Sequence, residues 1–161
     1  MRIGLGGGCH WCTEAVFQAL RCVERVEQGF IRSTPPHDAF SEAVIVHFEP
    51  RCIPLETIIE VHVRTHAATS DHRMRGKYRS AIYAFGEEQA GAARHILARL
   101  QKRMGQCLIT RVLPFAGFRA SDARFHDYYR TNPRRPFCRD HIDPKLALIR
   151  REFAREVSKP R

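Results

Sequence analysis

Two cysteines three positions apart, in the run Gly6-Gly7-Gly8-Cys9-His10-Trp11-Cys12, are the residues of this sequence best suited to chemistry. A thiol acts as a nucleophile through its thiolate, which is favoured just ahead of a helix, where unpaired backbone N–H groups and the positive end of the helix dipole meet it. The glycines let the backbone approach a substrate closely, and a cysteine one helical turn on can close a disulfide with the first. Read from the residues alone, three chemistries are open. The pair can exchange disulfides as a thioredoxin-like oxidoreductase does, or it can join His62 and His66 around zinc, although the long separation lacks the compact spacing of zinc modules. In the third, Cys9 attacks an electrophilic atom and Cys12 resolves the product.

The elements that must position this pair follow from periodicity. A short strand over 2–5 runs into the glycines, and Val16, Phe17 and Leu20 lie at helical spacing over 13–20, so the pair sits at a strand-to-helix junction. Further strands are predicted over 23–30 and 43–48, with a loop over 31–39 that contains Pro35-Pro36. Helices are predicted over 55–66 and 87–104, the second with a stripe from Ala90 to Met104 and Gly105 beyond its end. Strands over 80–85 and 107–113, a short polar helix over 121–129 and a helix opening at Pro144 complete the order. This succession implies an α+β fold, a two-layer sandwich in which a mixed or antiparallel sheet is covered by helices.

Composition sets the outer limits. A chain of 161 residues fills one core, so residues 1–161 are expected to form a single domain and a monomer. No stretch approaches the ~18 apolar residues of a membrane span, no signal-peptide core is visible, and a cytoplasmic location follows. A reducing compartment makes structural disulfides unexpected, so Cys22, Cys52 and Cys107 read as small core residues. The formal charge of +10 permits a nucleic-acid or acidic partner. The clusters Arg73-Arg75-Lys77-Arg79, Arg134-Arg135 and Arg150-Arg151 come with no nucleic-acid motif, however, and read as a solvated basic face.

The run Gly7-Gly8-Cys9-His10-Trp11-Cys12-Thr13-Glu14 with Phe17 resembles the signature of the A-type peptide methionine sulfoxide reductases, usually Gly-Gly-Cys-Phe-Trp. Collinear matches follow in Ser41-Glu42-Ala43-Val44, Phe48-Glu49-Pro50, Thr65-His66, Tyr78-Arg79-Ser80, Tyr128-Tyr129, Phe137-Cys138 and Ile142-Asp143-Pro144-Lys145-Leu146. The resemblance covers nearly the whole chain. It implies that methionine sulfoxide, free or in proteins and of the S epimer, is reduced by attack of Cys9 on sulfur, with no bound cofactor or metal. Glu42 would protonate the sulfoxide oxygen and Tyr78 would donate a second hydrogen bond to it. Cys12 would resolve the Cys9 sulfenic acid, with Cys138 as a further recycling thiol, and thioredoxin or another dithiol would reduce the resulting disulfide. Trp11, His10, Asp71 and Tyr128 would line the substrate site.

The sequence departs from that pattern in identifiable places. His10 stands where the family has Phe, which makes one wall of the methyl pocket polar and titratable. The stretch between Gly29-Phe30 and Glu42 is short, and the family's tyrosine from that loop has no counterpart. Asp71 matches the family's acidic residue ahead of the tyrosine across a shortened segment, and Phe125-His126 replaces a His-Gln pair.

Overall fold

The structure, a computed structural model, describes residues 1–159. Strands β1 (Arg2–Gly6), β2 (Val23–Arg32), β3 (Ser41–Phe48), β4 (Ala81–Ala84), β5 (Arg111–Pro114) and β6 (Gly117–Ala120) form a sheet in the order β5-β4-β1-β3-β2-β6. All neighbours are antiparallel except β4 and β5, which are parallel and joined through a helix, as a crossover requires. The helices are α1 (His10–Gln18), α2 (Leu55–Thr65), α3 (Glu87–Met104), α4 (Tyr128–Thr131) and α5 (Asp143–Glu152).

The two-residue period of the strands divides the core. Ile3, Leu5, Val44, Val46, Phe48 and Ile82 face one way and pack on Val16 and Phe17 of α1, Ile58 and Ile59 of α2, Ala93 and Leu100 of α3, and Leu146 and Ile149 of α5. Ala43, Ile45, Ala81 and Tyr83 face the other way, where Phe85, Leu113, Phe115 and Phe118 cover them. The expected α+β, helix-covered mixed sheet is thus present. Glu42 has the parity of Val44 and Val46, so it lies on the helix side, opposite Phe30 of β2.

Several elements differ from their sequence-based outlines. Helix α1 starts at His10 rather than at residue 13, which places Trp11 and Cys12 in its first turn. Strand β6 has no periodic signature and exists through its pairing with β2. The expected helix over 121–129 is instead a short 3₁₀ turn at Ala123–Phe125 followed by α4. The chain breaks between them at Asp127, which adopts φ 54°.

The cysteines also require a correction. Cys22 and Cys52, expected as small core residues, are instead joined as a disulfide with Cα atoms 6.0 Å apart; Cys22 is half-buried against the core and Cys52 is exposed. Cys22 follows α1 in a left-handed conformation (φ 68°), and its carbonyl accepts from the N–H of Glu49, which draws the loop after β3 alongside it. Cys107 is exposed, because β5 begins only at Arg111.

Candidate active site

Cys9 is the residue immediately before α1, and its carbonyl accepts from the N–H groups of Cys12 (3.1 Å) and Thr13 (3.3 Å). Its side chain is half-buried, whereas that of Cys12 is buried. The Cys12 thiol beside it lowers the Cys9 pKa most, and the N–H groups of Trp11 and Cys12 add to this, against burial and the charge of Glu42. Cys12 is shifted the other way, by donating to Cys9, by burial and by the Cys9 charge, with Lys145 opposing. One thiolate is therefore concentrated on Cys9. Burial holds the Lys145 ammonium below its usual range, and its Nζ bonds the Thr65 carbonyl within the cavity of about 40 Å³ that Cys9 and Cys12 line.

The glycine turn is braced from α2. His62 Nε2 donates to the Gly6 carbonyl at 2.8 Å, and His66 Nδ1 donates to the His62 carbonyl at 2.5 Å while its Nε2 accepts from Ser80 Oγ at 2.8 Å. Desolvation pushes His62 well down and His66 down to about 4, so both rings are neutral near pH 7. A Cβ on Gly7 (φ 156°) would lie 2.5 Å from the His66 ring, so glycine is what lets this turn seat against α2. The zinc reading is not supported by this geometry. Both histidines bond to protein atoms, and no group of three or more His, Cys, Asp or Glu side chains among the described residues is placed to hold a metal.

Glu42 reaches the start of α1 from β3. Its Oε1 lies 3.2 Å from His10 Nε2 and 3.4 Å from the His10 backbone N–H, and its Oε2 lies 3.7 Å from Lys77 Nζ. His10 Nδ1 donates to the Gly29 carbonyl at 2.7 Å, and its ring meets Phe30 edge-on. Burial lowers the His10 pKa, chiefly by desolvation. His10 therefore has both nitrogens engaged by protein and stands behind Glu42.

Trp11 stacks on Tyr128 with ring centroids 4.2 Å apart and planes 11° apart, and Phe125 and Phe137 complete an aromatic wall around it. Such a wall offers apolar, polarizable contacts to a methyl group on sulfur. Tyr128 is held from below by Glu14, whose carboxylate accepts from the N–H groups of Asp127 (3.1 Å) and Tyr128 (3.2 Å) and from Gln28 Nε2 (3.0 Å). Burial raises Glu14's pKa and these donors oppose that shift, so the bonds that anchor the wall also stabilise the carboxylate.

The arrangement is a nucleophilic thiol at a helix start, a buried acid across from it, an aromatic wall and a second thiol one turn away. A family model described as peptide methionine sulfoxide reductase matches residues 1–157. The chain belongs to this family. A peptide methionine sulfoxide reductase MsrA from Thermus thermophilus is 33% identical, over 92% of this chain and 93% of that protein. Among solved structures, methionine sulfoxide reductase A of Corynebacterium diphtheriae is similar with a TM-score of 0.71 and 24% identity, covering 82% of this chain and 74% of that one. Mxr1 from Saccharomyces cerevisiae in complex with Trx2 is similar with a TM-score of 0.62 and 22% identity, covering 80% of this chain and 84% of that one. The reaction of this family member is the thiol-dependent reduction of methionine sulfoxide to methionine.

The remaining expected residues are placed unequally. Tyr78 is half-buried and follows Lys77, whose carbonyl accepts from the Glu42 N–H at 3.1 Å and whose Nζ lies 3.7 Å from Glu42 Oε2 and 5.1 Å from the Tyr78 ring centre. Asp71 is exposed and lines a different cavity, about 610 Å³, with His37, Arg75 and Arg79, which shares no lining residue with the one at Cys9. Cys138 is buried at the head of the π-helical turn Cys138–Ile142, and its thiol donates to the Asn132 carbonyl at 3.6 Å. Burial raises its pKa, while a charge on it would oppose ionisation of Cys12.

Three supporting residues escaped the sequence reading. Glu14 had a visible signal, a carboxylate beside the apolar run Ala15-Val16-Phe17. Lys145 lay within a matched motif but carried no mark of its proximity to the thiols. Arg75, read as part of a solvated basic cluster, bonds the carbonyls of Gly7 (2.8 Å), Tyr78 (3.0 Å), Ser70 (2.9 Å) and Ala67 (2.5 Å), tying the segment before β4 to the glycine turn.

Proposed function

We propose that the chain reduces the S epimer of methionine sulfoxide, free or in proteins, with Cys9 as nucleophile, Glu42 as proton donor and Cys12 as resolving thiol. The Cys9 thiolate bonds to the sulfoxide sulfur while the oxygen takes a proton from Glu42. The hydroxyl then ends on Cys9 as sulfenic acid and methionine leaves. Thiolate, sulfoxide and one proton become sulfenic acid and sulfide; the substrate sulfur gains two electrons and Cys9 loses two. Tyr78 donates a second hydrogen bond to the oxygen, Trp11 and Tyr128 receive the methyl side, and the Cys12 thiol displaces water from Cys9 to form the disulfide. Thioredoxin then returns both thiols, a reading supported by the likeness to Mxr1, whose structure holds Trx2. Asp71, in a separate cavity, takes no part in this reading, and Cys138 is held in reserve as a recycling thiol.

The observation that carries this reading is that the buried Glu42 carboxyl from β3 lies 3.4 Å from the backbone N–H of His10, the residue after Cys9 at the start of α1, where its charge acts on the Cys9 thiol. Incubating the protein with each sulfoxide epimer and a dithiol tests it. Methionine is expected from the S epimer alone, and formation from the R epimer or from neither would refute the assignment.

A further inference from the structure

We propose that His10 is a positioning residue that shares a single proton with Glu42, so that the His10–Glu42 pair, rather than the lone carboxyl, is the proton store of the reaction. The proposal rests on the assignment of Glu42 as the proton donor and adds to it the reason for a histidine where the family pattern has phenylalanine.

Donors and acceptors decide where the proton lies. The Gly29 carbonyl can only accept, so His10 Nδ1, at 2.7 Å, carries a hydrogen. That leaves Nε2 facing Glu42 Oε1 at 3.2 Å, with both side chains less than a tenth exposed. A neutral ring and an ionised carboxylate would then set a lone pair against a lone pair in a dry contact, at the cost of an unmade buried hydrogen bond. One proton between the two atoms removes the conflict, whether it is written as carboxylic acid to imidazole or as imidazolium to carboxylate. Desolvation of the ring, which lowers His10, favours the first form, the one that holds the acid on Glu42. A phenylalanine ring at position 10 would fill the same space against Phe30 but could not accept from the carboxyl.

Proton balance gives the pair a role in every turnover. Reduction consumes one proton as the thiolate becomes sulfenic acid, and ionisation of the Cys9 thiol after recycling releases one. Between these steps Glu42 stands as a carboxylate facing the bare Nε2, and the pair recovers the proton from the Cys9 thiol or from water. The other ionisable groups that act on the pair are Cys9, Lys77 beside Oε2 and His126. All three remain in a His10→Phe variant, so the difference between the two pH profiles reports the pair.

The test compares single-turnover reduction of methionine sulfoxide by wild type, His10→Phe and His10→Gln across pH, together with 15N NMR of the histidine rings. Without an acceptor at position 10, His10→Phe is expected to move the alkaline fall of the rate to lower pH by about one unit, roughly a tenfold loss above the midpoint that narrows toward acid pH, while His10→Gln, whose amide oxygen can accept from the carboxyl, should fall between it and wild type. The His10 ring of wild type is expected to show Nδ1 protonated and Nε2 hydrogen-bonded, and Glu42→Gln should change the Nε2 signal. Superimposable profiles for wild type and both variants, or a ring protonated at Nε2 with Nδ1 bare, would overturn the pair. A Glu42→Gln enzyme as fast as wild type would instead overturn the underlying assignment of Glu42, so the two failures are distinguishable.

Discussion

Cys9 and Cys12 lie one turn apart on the same helix, yet their surroundings prepare them for opposite tasks. Cys9 precedes α1, half-exposed, and receives the Cys12 thiol together with the N–H groups of Trp11 and Cys12. Cys12 lies inside the first turn, buried, with its thiol 4.0 Å from the His141 carbonyl and a Cys138 charge working against its ionisation. A helix start therefore does not acidify every thiol near it. It favours the one that receives the free donors, and a second thiol inside the turn becomes the donor to the first. The same turn faces two sides, with the Glu42 carboxyl and the aromatic wall as candidate substrate surfaces and Lys145 beside the two thiols.

Replacing Cys9 by Ser breaks this contrast most completely. Turnover should drop to background with any reductant, measured as methionine released, and residual turnover would assign the nucleophile elsewhere. Replacing Cys12 by Ser should leave one equivalent of methionine per enzyme and stop cycling with thioredoxin. Unchanged cycling would move the resolving role to Cys138.

The acidity difference can be read directly. Alkylation of a thiol follows its thiolate fraction, so Cys9, whose pKa is lowered, should react with iodoacetamide at a pH where Cys12, whose pKa is raised, does not. As pH falls, Cys9 should be the last of the two to lose reactivity, and peptide mapping of the alkylated protein shows the order. Cys138→Ser should have the smallest effect, less than about twofold on steady-state rate with thioredoxin, in keeping with a buried thiol bonded to the Asn132 carbonyl.

The parts legible in the sequence are those governed by local rules. Helix α3 spans the predicted 87–104 because its apolar stripe and Gly105, which adopts φ 64°, are both local signals. The start of α1 was misplaced because the residues of its first turn, including His10 and Cys12, are buried for tertiary reasons and do not extend the apolar spacing. The predicted helix over 121–129 failed at Asp127, where Glu14, more than a hundred residues away in the chain, takes the N–H groups of Asp127 and Tyr128. The Cys22–Cys52 pairing was illegible for a similar reason, since it depends on how the turn after α1 meets the loop after β3.

By itself, then, the sequence determined the type of the candidate nucleophile, its place at a strand-to-helix junction and the family signature around it, because glycine freedom, helix starts and residue spacing are properties of neighbours in the chain. Only the tertiary structure decided what His10 is for. A side chain that reads as one wall of a methyl pocket is turned inward between the Gly29 carbonyl and Glu42, and the direction in which each nitrogen points follows from the packing of α1 against β2 and β3. Hydrogen-bond chemistry in a buried contact is fixed by atoms brought together from distant positions, and no spacing rule along the chain contains that information.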